Sequence, residues 1–418
     1  MKKLCIPIAM LLIICTLLPA CGAPGTEPCY PKAEDTAAPQ ITATPQPTAT
    51  PQPTATPEPE GTPETPAAQT PTETEAPAEG DAIERYMQTL TLREKVGQLF
   101  FVRCPETGAA EDVASYHLGG LLLFGRDYKD ASGEWLTEDD FTSSLASYQA
   151  AAAIPLFIGS DEEGGTVTRA SRNPNLFSAP LSSPQALYAS LGMEGLLTET
   201  RRYNEALKTL GINVNFAPVC DVSTNPDNFI YARSFGQDAQ TTADYIAQVV
   251  PAYETAGVAC VLKHFPGYGN NADTHTGVAI DARPYTTFER SDLVPFEAGI
   301  AAGAPFVLVS HNVVECMDSA YPASLSAKVH ALLRDTLGFS GIIVTDDLAM
   351  DAVKAYAQDG SAAVLAIQAG NDMVVTTDYR EQIPQVIAAV RNGEIAESEI
   401  DAHVFRVLHE KQALGLID

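Results

Sequence analysis

Eight short apolar runs, separated by helical patterns, most constrain what this chain can fold into. They are Leu99–Val102, Gly120–Phe124, Pro155–Gly159, Asn213–Pro218, Val258–Leu262, Phe306–Val309, Gly341–Thr345 and Asp372–Val375. Apart from Asn213–Pro218, the runs are largely continuous in apolar residues rather than alternating, which marks strands buried on both faces and therefore parallel. The intervening segments have helical spacing: 83–90, 109–116, 139–152, 198–210, 241–256, 293–302, 328–337 and 361–369, with two more at 381–391 and 397–414. Thr91 and Glu94 form a capping box that starts a further short helix. Eight β/α repeats within about 340 residues predict an α/β fold of the (β/α)8 TIM-barrel type. An open doubly wound sheet is the competitor, but no Gly-rich fingerprint follows the first strand.

Active sites of such barrels form where the strands end. Here those ends carry ionisable groups: Asp161 after the third strand, Asp221 just beyond the fourth, Lys263 and His264 at the fifth, His311 at the sixth, and Asp346 and Asp347 at the seventh. Structural ion pairing accounts for two or three such groups. It does not account for their recurrence at every odd-numbered strand from three to seven. Such a rim needs a polar ligand, or the groups need each other.

The stretch Lys263–Gly277 is the densest of these. A buried strand runs directly into Lys-His, then into a Gly/Pro loop, then into Asp273-x-His275. A carboxylate two residues from an imidazole can fix its tautomer and raise its basicity. This stretch resembles the K-H-F-P-G-x-G signature, followed a few residues later by D-S/T-H, of glycoside hydrolase family 3, in its β-N-acetylhexosaminidase branch; here three residues separate Gly269 from Asp273. Other segments are similar to that family in the same order: Asp161–Arg169 (D-x-E-G-G-x-V-x-R), Asn215–Val222, Arg233-Ser-Phe-Gly236, Thr345–Met350 (S/T-D-x-x-x-M) and Ala369–Met373. Tyr268 stands where the signature often has a second histidine.

The resemblance implies site roles. Asp346 is the nucleophile and Asp347 its structural neighbour, a choice that composition alone leaves open. Asp273 and His275 are the acid/base dyad. Asp161, Arg169, Arg233, Lys263 and His264 hold the sugar. Glu163, Gly164 and Gly165 match the motif and are read as shaping the loop. Retaining glycosidases commonly use two carboxylates; here a histidine with a pKa near neutrality would protonate the leaving oxygen and then activate water. Larger family members take their acid/base from a second domain, so in this chain it is expected from the barrel loops, on a mobile lid that carries His275 toward Asp346. No cofactor is implied, and no H-x-H or H-E-x-x-H pattern suggests a metal.

The implied activity is an exo-acting, retaining β-N-acetylglucosaminidase on peptidoglycan or chitin fragments. A β-glycosidase of other specificity and a phosphorylase are alternatives within the family, because an imidazole repels phosphate less than a second carboxylate. A wall-sugar-binding protein without turnover is the alternative outside it. With 25 Lys and Arg against 53 Asp and Glu, the net charge of -28 disfavours nucleic acid and anionic membrane surfaces as partners. The eight cysteines show no zinc spacing and no disulfide framework.

The N-terminus reads as residues 1–20, a signal peptide with a basic start and a short apolar core. Its end, Leu18-Pro19-Ala20-Cys21, resembles a bacterial lipobox, which implies cleavage and lipid attachment at Cys21. Residues 21–80 are Pro/Thr-rich with little to bury and read as an extended stalk, on the order of 100 Å at full stretch. Residues 81–418 are the catalytic barrel. The expected protein is a monomer outside the cytoplasmic membrane, held there only by its lipid.

Overall fold

The computed structural model describes residues 82–269, 279–357 and 361–418. Its main sheet has eight parallel strands: β1 (Phe100–Arg103), β2 (Gly120–Leu123), β3 (Phe157–Ser160), β4 (Val214–Asn215), β5 (Ala259–Phe265), β7 (Phe306–Val309), β9 (Ile342–Thr345) and β10 (Val374–Thr376). They are ordered β10-β1-β2-β3-β4-β5-β7-β9. A parallel bridge between Val344 and Met373 closes the ring. The expected (β/α)8 barrel is therefore observed, with each apolar run as one strand. The sequence pattern does not announce a small parallel ladder, β6 (Ile280–Asp281) with β8 (Val313–Val314), because two-residue strands carry no periodicity to read.

The helices start where local chemistry says they should. Thr91 caps Leu92–Gln98 through the capping box, and Asp238 caps Ala239–Ala256 by accepting from the Thr241 amide at 2.8 Å. Two expected helices differ in extent. The helix expected over 198–210 runs from Pro184 to Thr209 and kinks at Gly192, which adopts φ 68°. The helix expected over 328–337 is α-helical over Ala327–Ala331 and continues as a π-turn over Leu332–Thr336.

Aromatic rings fill the barrel interior. Phe101 meets Phe216 edge-on at 5.2 Å, and Phe157 meets Phe306 at 5.4 Å. Gly159 makes this possible, since a Cβ there would lie 2.7 Å from Phe101 and 2.8 Å from Phe216. Lys411, wholly buried, lies 5.1 Å from the Phe157 ring and donates to Gln98 at 2.6 Å.

The closing seam is held by one carboxylate. Asp372 accepts from the Ile343 amide at 2.7 Å, from His403 Nδ1 at 2.8 Å and from Arg406 Nε at 2.7 Å, and it also pairs with Arg334. Burial pushes its carboxyl up, but His403, Arg334 and Arg406 prevail and hold it at about 2. It thereby ties β9 to the C-terminal helix Glu397–Ala413.

Candidate active site

The strand ends surround a cavity of about 430 Å3. Its apolar lining includes Leu122, Phe216, Leu308 and Val375, one each from the second, fourth, sixth and eighth barrel strands or their ends. Its charged lining includes Arg103, Asp161, Lys263 and Asp346, from the first, third, fifth and seventh. This alternation follows barrel layering, in which four side chains from alternate strands share one level. The apolar set lines the cavity from one set of strands, and the ionisable set lines it from the other.

One wall is a fixed charge network. Lys263 Nζ contacts Asp161 Oδ1 at 2.9 Å and Glu163 Oε1 at 2.6 Å. Arg233 grips Glu163 with both prongs, Nε to Oε2 at 2.9 Å and Nη2 to Oε1 at 2.7 Å. Burial alone would raise the Glu163 carboxyl, yet Lys263 and Arg233 hold it down to about 2. Arg169 reaches Asp161 at 3.5 Å. The preceding loop is tied down by Glu162, which accepts from the Arg169 amide at 2.5 Å and from Ser171 Oγ at 2.8 Å.

His264 completes this wall, and its tautomer follows from its neighbours. Arg233 Nη2, which can only donate, lies 3.0 Å from His264 Nε2. Nε2 therefore accepts, and the ring proton sits on Nδ1, donated to Asp221 Oδ2 at 2.7 Å. Asp221 also accepts from the Tyr268 amide at 2.7 Å and the His264 amide at 3.2 Å.

The opposite side carries Asp346 and Asp347, both partly exposed. Asp346 follows β9, and its Oδ1 accepts from the Asp347 amide at 2.8 Å. Asp347 Oδ1 accepts from the Ala349 amide at 2.9 Å, and its Oδ2 lies 3.5 Å from Arg103. Burial raises the Asp347 carboxyl above the usual range, aided by the Asp346 charge and opposed by Ala349 and Arg103. His311 Nε2 donates to the Asp347 carbonyl at 3.0 Å, while its Nδ1 accepts from Ser324 Oγ at 2.7 Å.

Residues 91–409 match the model of the glycosyl hydrolase family 3 N-terminal domain. The chain belongs to that family.

This family 3 hydrolase is 32% identical over 332 residues to the β-hexosaminidase LpqI of Mycobacterium tuberculosis, covering 76% of this chain and 82% of the relative. It is 32% identical over 282 residues to the β-hexosaminidase of Nitrosomonas eutropha, covering 66% and 78%. Among solved structures, a family 3 β-N-acetylglucosaminidase from Paenibacillus sp. FPU-7 superposes with a TM-score of 0.70 at 31% identity, covering 78% of this chain and 63% of that longer chain. The M. tuberculosis LpqI structure superposes with a TM-score of 0.68 at 31% identity, covering 78% and 95%.

The hydrolase brings Asp161, Arg169, Arg233, Lys263, His264 and Asp346 together at one cavity, as the sequence predicts. Asp273, His275 and Cys21 lie outside the described residues. Three sequence readings need correction. Glu163 does more than shape a loop: it anchors both Lys263 and Arg233. Asp221 and His311 are not among the cavity-lining residues; each is buried and orients another site residue. Arg103 is a site residue that the sequence reading misses. It lines the cavity, and its guanidinium lies 4.0 Å from the centre of the Phe124 ring. The recurrence of charge at odd strands, extended back to strand one, is the signal that finds it.

Proposed function

We propose that this hydrolase is an exo-acting, retaining β-N-acetylglucosaminidase that removes terminal β-linked N-acetylhexosamine from peptidoglycan or chitin fragments. One observation carries the reading. The cavity of about 430 Å3 has a carboxylate, Asp346, on one side and a fixed set of donors and acceptors, Asp161, Arg169, Arg233, Lys263 and His264, on another. Neutral sugar hydroxyls bind well to such preset charges, because each hydroxyl both donates and accepts. The relatives named β-hexosaminidase support the same reading.

In this mechanism Asp346 attacks the anomeric carbon as the bond to the leaving oxygen breaks, and His275 gives that oxygen its proton. His275 then takes a proton from water, which attacks the same carbon and releases Asp346. Asp273 orients the His275 ring. The Ala349 amide and Arg103 hold Asp347, so its carboxylate supports the turn that presents Asp346. The signal sequence and the Leu18–Cys21 pattern further support export and lipid anchoring at Cys21 on the outer face of the cytoplasmic membrane.

The test compares Asp346→Ala with Asp347→Ala on p-nitrophenyl β-N-acetylglucosaminide. The first is expected to lose on the order of 1,000-fold or more in kcat, and the second far less. Equal and mild losses would overturn the assignment. Product formed as sugar-1-phosphate, in a phosphate-dependent reaction, would replace hydrolysis with phosphorolysis.

A further inference from the structure

A second hollow, of about 500 Å3, adjoins the sugar cavity. Phe124 and Arg169 line both, so the two share a wall. The remaining lining includes Arg126, Lys129, Trp135 and Arg172, and no carboxylate. That is out of character for a chain with 53 acidic residues against 25 basic ones.

The cations here are only partly neutralised. Arg126 pairs with Glu106 at 2.7 Å and with Asp127 at 3.5 Å, and Arg169 with Asp161 at 3.5 Å. Arg172 is exposed and donates to Thr168 Oγ1 at 3.0 Å and to the Thr166 carbonyl at 2.7 Å, both uncharged. Lys129 Nζ lies 4.5 Å from the centre of the Trp135 ring. Among the described residues neither Lys129 nor Arg172 has a carboxylate within ion-pair distance. Four cations line the hollow; Arg126 and Arg169 are offset by carboxylates outside it, and Lys129 and Arg172 are left to form a local positive field inside an anionic protein.

The hollow is also built rather than incidental. Lys129 and Trp135 face each other across an antiparallel bridge. Asn175 donates to the Trp135 carbonyl at 3.1 Å, and Asn173 to the Leu136 carbonyl at 2.9 Å. These bonds fix the half-buried Trp135, the chain's single tryptophan, beside the cations. A flat ring flanked by ammonium and guanidinium groups suits a sugar face with an acid attached.

We propose that this groove binds a carboxylate carried by the part of the substrate that projects from the sugar cavity. The proposal rests on reading the main cavity as the sugar site. It makes the enzyme selective for acidic over neutral saccharides without any change in the chemistry at Asp346.

The test uses the full chain and a disaccharide whose terminal N-acetylglucosamine is β-linked to a sugar bearing a lactyl ether, as the free acid and as its methylamide. A third compound carries a short acidic peptide on the lactyl group. The wild type should favour either acid over the methylamide by about tenfold in kcat/KM, and the preference should shrink as salt rises. In Lys129→Ala/Arg172→Ala the preference should fall to near one, while hydrolysis of the p-nitrophenyl glycoside stays unchanged. Emission from Trp135 gives a readout without turnover: the acids should perturb it at lower concentration than the methylamide, and the double variant should lose that difference. No preference for either acid in the wild type, or a preference kept in the double variant, overturns the proposal. Failure to cleave the p-nitrophenyl glycoside would instead overturn the reading of the main cavity, with the emission titration still deciding the groove.

Discussion

Replacing Glu163 with glutamine tests the link between burial, charge and sugar binding. The side chain is almost fully buried and takes three contacts from two cations, at 2.6, 2.7 and 2.9 Å. Glutamine has the same shape but puts an NH2 where an oxygen accepted, so one donor faces another. The carboxyl sits at about 2, against an ordinary 4.5. That difference corresponds to about 3 kcal/mol in favour of the charged form, and removing one member of a buried pair costs about 3–5 kcal/mol. Urea unfolding of Glu163→Gln should therefore show a loss of about 3 kcal/mol at neutral pH. Because the folded carboxyl is depressed, its stabilisation is complete above its ordinary value and fades as pH falls from about 4.5 toward 2. The gap between wild type and variant should close over that window. Lys263 and Arg233 also lose their fixed positions, so kcat/KM on the aryl glycoside should drop by roughly 100-fold. A variant within about 0.5 kcal/mol of wild type and with unchanged kcat/KM would refute the reasoning.

Two further outcomes are expected. Asp372→Asn should destabilise the barrel by about 3–5 kcal/mol at neutral pH, and the wild-type advantage should fade as pH falls from about 4 toward 2, since its carboxyl is also depressed; melting curves across that range check it. Gly159→Ala should cost about 1–3 kcal/mol by overpacking Phe101 and Phe216, and because Phe216 lines the cavity proposed to bind the sugar it should also raise KM; wild-type melting together with wild-type KM would contradict this.

The barrel is legible because most of its strands are buried on both faces and so show as apolar runs; the fourth, Val214–Asn215, buries its asparagine instead. The helix beginning at Pro184 reads short in the sequence: its first half carries Gly192 and Gly195, which look like breakers, and Gly192 does produce a kink. The π-turn at Leu332–Thr336 leaves no trace in the apolar spacing. At the site, Asp161, Lys263, His264 and Asp346 are readable because charge placed directly after a buried strand is costly unless a ligand or a partner satisfies it. Glu163 is not readable, because its burial depends on Arg233, 70 positions later. Asp221 and His311 do sit at strand ends, but whether such a group faces the ligand or braces a neighbour depends on contacts between distant segments.

The phenyl rings under the cavity decide its traffic. Phe216 belongs both to the cavity lining and to the aromatic cluster with Phe101, and below that cluster Lys411 and Gln98 sit bonded to each other. Among the described residues, this packing fills the barrel behind the cavity. On a two-step mechanism the detached aglycone must therefore leave by the doorway through which water enters. On the proposed mechanism, any alcohol waiting at that doorway would compete with water for the glycosyl group on Asp346. At high acceptor concentration the enzyme should build glycosides as well as break them.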